Sequence, residues 1–179
     1  RTFLASLARG EPSEAALAAL GEPEPTKAVS AIVRAAAHPD LRGDQERWLE
    51  ALLLSARPGH AAQTLEELAG RYRATRRRAL PIERMPALVP VLGSSDVLAR
   101  VLLSHPNWAE ELIGDPPAPP ETGEIEADWT SLRIAKYKGL LRVAGRDLLG
   151  RRFEDSPREL AALADACLAA GLERAANEV

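Results

Sequence analysis

The chain has 179 residues, 46% of them hydrophobic, with a formal charge of -3 and a pI near 5.7, which is long enough for one large domain or two small ones with a real core. Ala and Leu supply most of the apolar content and aromatic residues only 4%, a usage that favours helices over strands and leads us to expect an all-α fold. This balance excludes a global attraction to nucleic acid or to an anionic membrane, and the single cysteine, Cys167, excludes an intrachain disulfide and a cysteine-based metal site.

No apolar run reaches the length of a membrane span and no basic-then-apolar leader opens the chain, so the cytoplasm is the expected location. A start at Arg1 without Met, and a stop at Val179 inside a helical pattern, suggest a piece of a longer protein.

Residues 1–20 read as two short Ala/Leu helices around Gly10-Glu11-Pro12, with Ser13 as cap of the second. After the break at Glu22-Pro23-Glu24-Pro25, Thr26 is expected to cap a helix with the stripe Val29, Ile32, Val33 and Ala36, ending at His38-Pro39. Asp40 opens the next, with Trp48, Leu49, Leu52 and Leu53 on one face and Arg57-Pro58-Gly59 at its end. A helix through Leu65, Leu68, Ala69 and Tyr72 then runs into arginines.

Residues 80–92 contain Pro81, Pro86 and Pro90 and are expected to form short helical turns, because each proline removes a donor and restricts the residue before it. Two helices follow, over 95–104 and 107–113, joined at His105-Pro106. The stretch 114–129, GDPPAPPETGEIEADW, holds four prolines and five carboxylates without a lysine or arginine. It reads as a stiff, extended acidic connector. Two long helices, over 130–150 and 157–177, follow as an antiparallel hairpin. The first is expected to bury Leu132, Leu140, Leu141, Val143, Ala144 and Leu148, and the second Leu160, Leu163, Ala164, Cys167, Leu168 and Leu172. The domains are thus a helical subdomain over 1–113, a connector over 114–129 and the hairpin over 130–179.

Gly93-Ser94-Ser95-Asp96 resembles the opening of a nucleotidyl-transfer site, which needs a Gly-Ser turn for phosphate and two carboxylates on alternate strand residues for metal. Val97, Leu98 and Ala99 follow Asp96, so the second carboxylate is missing. Val97, Leu98, Val101 and Leu102 have helical spacing instead, which makes Gly93 a turn residue, Ser94 or Ser95 a cap and Asp96 a first-turn acid. The run RYRATRRR carries Arg71, Arg73, Arg76, Arg77 and Arg78. Such clusters grip phosphate backbones, but on one helix these spread around its circumference and are expected to be solvated or paired with carboxylates. Lys138, Arg142 and Arg146 stand four apart on one face, an arrangement that calls for an acid opposite, from Asp147, Glu159, Asp165 or a neighbouring domain. His38 and His105 are expected to cap helix ends as cations, and no two histidines have metal-ligand spacing.

The stretch 93–108, read as G-S-S-D-x-L-A-R-x-L-L-x-H-P-x-W, resembles the N-terminal region of the glutamine synthetase adenylyltransferase family. Leu141-Arg142-Val143, Arg146-Asp147-Leu148 and the Leu160, Leu163, Ala164, Asp165, Leu168 pattern are similar to the family's paired helices, and the resemblance runs over about residues 88–179. Ala135 to Gly139, AKYKG, departs from it, since the family usually has more arginine and a glutamate there.

The resemblance implies a two-headed cytoplasmic enzyme of nitrogen regulation. One domain moves AMP from ATP onto glutamine synthetase and another removes it by phosphorolysis, both with Mg²⁺. Its partners are glutamine synthetase, a nitrogen-signalling regulatory protein and the catalytic domain that follows these helices. None of the family's catalytic carboxylates falls on a residue of this chain, so no catalytic, cofactor-binding or metal-binding residue is expected here. The competing reading is a stand-alone helical adaptor whose Arg71 to Arg78 face binds an acidic protein or nucleic acid.

Overall fold

The computed structural model describes residues 14–43, 45–152 and 154–178. The first expected Ala/Leu helix and the Ser13 cap lie outside them. The chain is all-α, with no strand among the described residues, and it divides into two compact units, Arg1–Gly114 and Asp115–Val179.

In the first unit α1 (Glu14–Ala19), α2 (Pro25–Ala37), α3 (Gln45–Leu52), α4 (Pro58–Arg76), α5 (Leu88–Ser94) and α6 (Asp96–Ser104) are joined by short 3-10 turns at Pro39–Leu41, Ile82–Arg84 and Pro106–Leu112. The centre is α4. It packs against α2, α5, α6 and the turn Pro106–Leu112, and so buries Ala61, Ala62, Leu65, Leu68, Ala69 and Tyr72 completely. Trp48, Leu41, Leu49, Leu52, Met85 and Leu88 fill the space around it. The Trp48 indole N–H donates to Leu41 O at 2.9 Å, so this large ring is buried without an orphaned donor.

Several boundaries differ from the sequence expectation. Pro25 occupies the first turn of α2 and Thr26 makes no cap; proline is favoured there because its missing N–H has no partner to lose. The buried stripe of α2 is Ala28, Ala31, Ile32 and Ala35, while Val33 faces out. The cause is close approach: a Cβ added to Gly59 would lie 2.5 Å from Ala28 Cβ and 2.7 Å from Ala28 Cα, so α2 must present its alanines to α4. Asp40 belongs to the turn Pro39–Leu41 rather than to α3, and Pro58 begins α4 rather than ending α3. Pro90 sits in the first turn of α5, which makes 88–94 more regular than its prolines suggest. On α6 the buried residues are Leu98, Ala99 and Leu102, and Val97 points outward.

The second unit consists of the segment 115–128, α7 (Trp129–Leu148) and α8 (Asp155–Ala176). Asp128 caps α7, its carboxylate accepting from Thr130 N at 2.9 Å and Ser131 N at 3.0 Å. Ser131 chiefly, with the backbone amides, holds that carboxyl below its usual range. Gly171 faces Leu132, Gly139 faces Leu163 and Arg146 reaches Glu159, so numbers rise along one helix as they fall along the other. Residues 115–128 are not a free connector: Ile125 is buried with Ala166 and Ala170 beside Leu132, Ala135 and Cys167. Of the stripe expected from spacing, α8 buries Leu163 and half-buries Cys167 but leaves Leu160, Ala164, Leu168 and Leu172 exposed, and it turns Ala166 and Ala170 inward instead. Small residues at the contact let α7 and α8 approach, and a leucine stripe there would hold them apart.

Candidate functional site

Gly93 to Asp96 is a junction of two helices. Gly93 lies inside α5 and is no turn residue; its lack of a side chain is required because an added Cβ would fall 2.6 Å from Ser55 Cβ. Ser55 sits there because its hydroxyl donates to Val89 O at 3.2 Å. Ser95 is the cap of α6, accepting from Leu98 N at 3.3 Å. Asp96 pairs with Arg57, and His60 Nε2 lies 3.3 Å away. The hydrogen bond from Arg57 is the main cause that holds the Asp96 carboxyl below its usual range. A lone carboxylate already engaged by arginine beside helical backbone has neither the amide cradle nor the second acid that phosphate and metal chemistry needs.

The arginine run resolves into a set of clasps that α4 throws onto its neighbours. Arg73 binds Asp40, whose side chain is only 1% exposed; the Arg73 hydrogen bonds hold that carboxyl low against the opposing effect of burial. Arg76 and Arg78 reach Glu110 at 3.1 and 3.0 Å, and the Tyr72 hydroxyl donates to the same carboxylate at 2.7 Å. Burial alone would raise Glu110, but the hydrogen bonds from Tyr72 and Arg78 and the neighbouring positive charges prevail, and its pKa is lowered. Burial, followed by the bond to Glu110, pushes the Tyr72 phenol up. Arg71 binds Glu67 at 2.7 Å and Leu103 O at 3.0 Å. Arg77 ends the helix with φ 55°, the left-handed conformation usual at a helix C-terminus. Asp40 and Glu110 are the organising acids that spacing could not reveal, because they lie 33 and 32 residues from Arg73 and Arg78.

On α7 the basic ladder holds down residues 115–128. Arg146 makes a paired contact with Glu159 at 2.7 Å and donates to Pro116 O at 3.1 Å. Arg142 donates to Ala118 O at 3.3 Å. Of the acids expected opposite the ladder, Glu159 is the one Arg146 takes, while Asp147 accepts from Ser156 Oγ at 2.5 Å. Carbonyls of a proline-rich segment are natural acceptors for this ladder, since proline supplies an oxygen and no competing N–H. Between these anchors and Ile125 a cleft of about 360 Å³ remains, with Glu124, Glu126, Lys138 and Arg142 at its rim.

His38 closes α2 as its C-cap, and its Nδ1 accepts from Asp40 N at 3.3 Å, so it also opens the turn Pro39–Leu41. His105 ends α6 and stacks on Trp108 with ring centroids 4.2 Å apart. Among the described residues no group of three or more His, Cys, Asp or Glu could hold a metal ion, and no helix is long and apolar enough to cross a membrane. Comparison with protein-family models, curated proteins and solved structures finds no match for this chain.

Proposed function

We propose that this chain is the helical N-terminal segment of a glutamine synthetase adenylyltransferase, a support for catalytic domains and not a catalyst by itself. The observation that carries the reading is the order of the resembling pieces: a Gly-Ser-Ser-Asp helix start, a helix ending at His-Pro, and then two paired helices. The exposed leucines of α8 support it further, because a helix pair that buries only one side of its second helix has a face for a further domain. In this reading the hairpin docks onto the adenylyl-removing domain and helps present glutamine synthetase or the nitrogen-signalling protein in the cytoplasm.

ATP and Mg²⁺ belong to the catalytic domains. The residues here do not fit them, since Asp96 stands alone and is bound by Arg57, and no chemical step is assigned to any residue of this chain. The adaptor reading has less support: Arg71, Arg73, Arg76 and Arg78 already meet carboxylates within the fold, so a nucleic acid or acidic protein would have to displace them.

The test is transfer of labelled AMP to glutamine synthetase, and phosphorolysis of the adenylylated enzyme, by this chain and by a version extended by a further domain of about 150 residues. Release of ADP by the extended chain alone is the expected result. Silence of both overturns the family reading, and activity in the short chain overturns its assignment as a support.

A further inference from the structure

The outward side of α8 carries an apolar stripe bordered by Arg158, which faces Asp155 of the same helix, and by Asp165. Ala161, Ala164, Leu168, Leu172 and Ala175 recur at steps of three and four, and all five are exposed, Leu168 to 64% and Leu172 to 71%. This is the spacing with which one helix receives another. The alanines leave low ground on either side of the two leucines, a relief that suits the ridges of a helix better than a flat sheet. Asp165 lies three residues before Leu168 and four after Ala161, so it borders the same stripe. It is exposed and makes no ion pair with any described residue. A purely apolar partner that covered this stripe would desolvate a lone carboxylate, which is strongly unfavourable unless a cation comes with the partner.

We infer that the outer face of α8 docks an amphipathic helix that lays apolar side chains along Leu168 and Leu172 and places a lysine or arginine opposite Asp165. This goes beyond the proposed family and does not depend on it, because it specifies the chemistry of the partner and not its name. A second copy of α8 fits less well, since it brings the same aspartate, and the cation that borders its stripe, Arg158, already faces Asp155 of its own helix at 3.9 Å.

The probe is a pair of stapled helical peptides of about 14 residues, four turns long, with an Ala/Leu face and a single position that is lysine in one and glutamate in the other. Binding to the whole chain is followed by isothermal titration and by chemical shifts of α8. The lysine peptide is expected to bind at least about tenfold more tightly than the glutamate peptide, a difference of the size measured for close charge pairs across interfaces. Asp165→Asn, which keeps shape and fold, is expected to abolish that preference, and Leu168→Gln with Leu172→Gln to weaken both peptides. Equal affinity of the two peptides, binding that survives the leucine changes, or no binding of either overturns the inference. So does sedimentation showing a dimer of this chain that the leucine changes dissolve.

Discussion

Residues 14–114 and residues 115–178 are built from the same alanine-rich and leucine-rich helices, yet they bury them differently. In the first unit the central helix α4 is covered by α2, α5, α6 and the turn Pro106–Leu112, and its apolar side chains reach zero exposure. In the second, two helices and a proline-rich strip must cover each other, and α8 keeps Leu160, Leu168 and Leu172 outside. The difference follows from layer number. A helix with neighbours on several sides can bury a wide apolar arc, whereas a helix in a pair buries only the stripe that meets its single neighbour. The first unit therefore has a closed centre at α4, with Leu54 and Val97 left out at its edge, and the second has an open side along α8.

The largest expected effect separates the two leucine classes. Leu68→Ala, at the centre of the closed unit, is expected to cost about 2–5 kcal/mol, and Leu168→Ala on the open side to stay within about 0.5 kcal/mol. Urea denaturation of the two variants is the measurement, and equal losses would erase the distinction between the units. Glycines sharpen it. Gly59→Ala drives a methyl into the backbone of Ala28 and is expected to destabilise by about 1–3 kcal/mol. Gly171→Ala meets only Leu132 Cδ1 at 3.6 Å, so the better helix propensity of alanine is expected to prevail and add up to about 1 kcal/mol. Thermal unfolding of this pair in opposite directions is the outcome that fits, and destabilisation by both would mean that α8 packs as tightly as α4.

Acid probes the arginine clasps of the first unit. Asp40 and Glu110 have lowered pKa values in the folded chain, because Arg73 holds the first and Tyr72 with Arg78 outweighs burial at the second. The unfolded chain therefore takes up protons first as pH falls. Their contribution to stability is complete above the ordinary carboxylate value of about 4 and is lost as pH drops through the lower folded-state values. Asp40→Asn is expected to flatten the acid limb of a stability profile between pH 5 and pH 2, roughly the range over which such groups titrate, with little change in its shape above it. A profile unchanged by Asp40→Asn would mean that the Arg73 clasp adds nothing to the fold.

Local signals were read well from the sequence, and choices among faces were not. Helical class, a serine cap at 94 or 95, which the structure places at Ser95, and the helix end at His105-Pro106 are written in neighbouring residues, where capping and proline act over one turn. The pairing of the arginine run was foreseeable in kind, since cations spread round a helix among many acids find partners, but the identities of Asp40 and Glu110 depend on chain separations that no local pattern encodes. The stripe of α8 failed for another reason. Leu160, Leu168 and Leu172 are as regular in spacing as Leu163, Ala166 and Ala170, and hydrophobicity favours the leucines. Gly139 leaves room for the Leu163 side chain, whose Cδ1 an added Cβ would meet at 2.6 Å, and that fit turns the Leu163, Ala166 and Ala170 side inward. Packing distance decided between two stripes that periodicity alone leaves equal.

Hydrogen exchange along the unliganded chain tests the contrast between a closed and an open unit most directly. Amides of α4 are expected to exchange only through global opening of the first unit, while those of α8 exchange through a smaller, local opening of lower free energy. Protection of α8 equal to that of α4, amide for amide, would contradict it and show that the outer leucines are not the mark of an unfinished core.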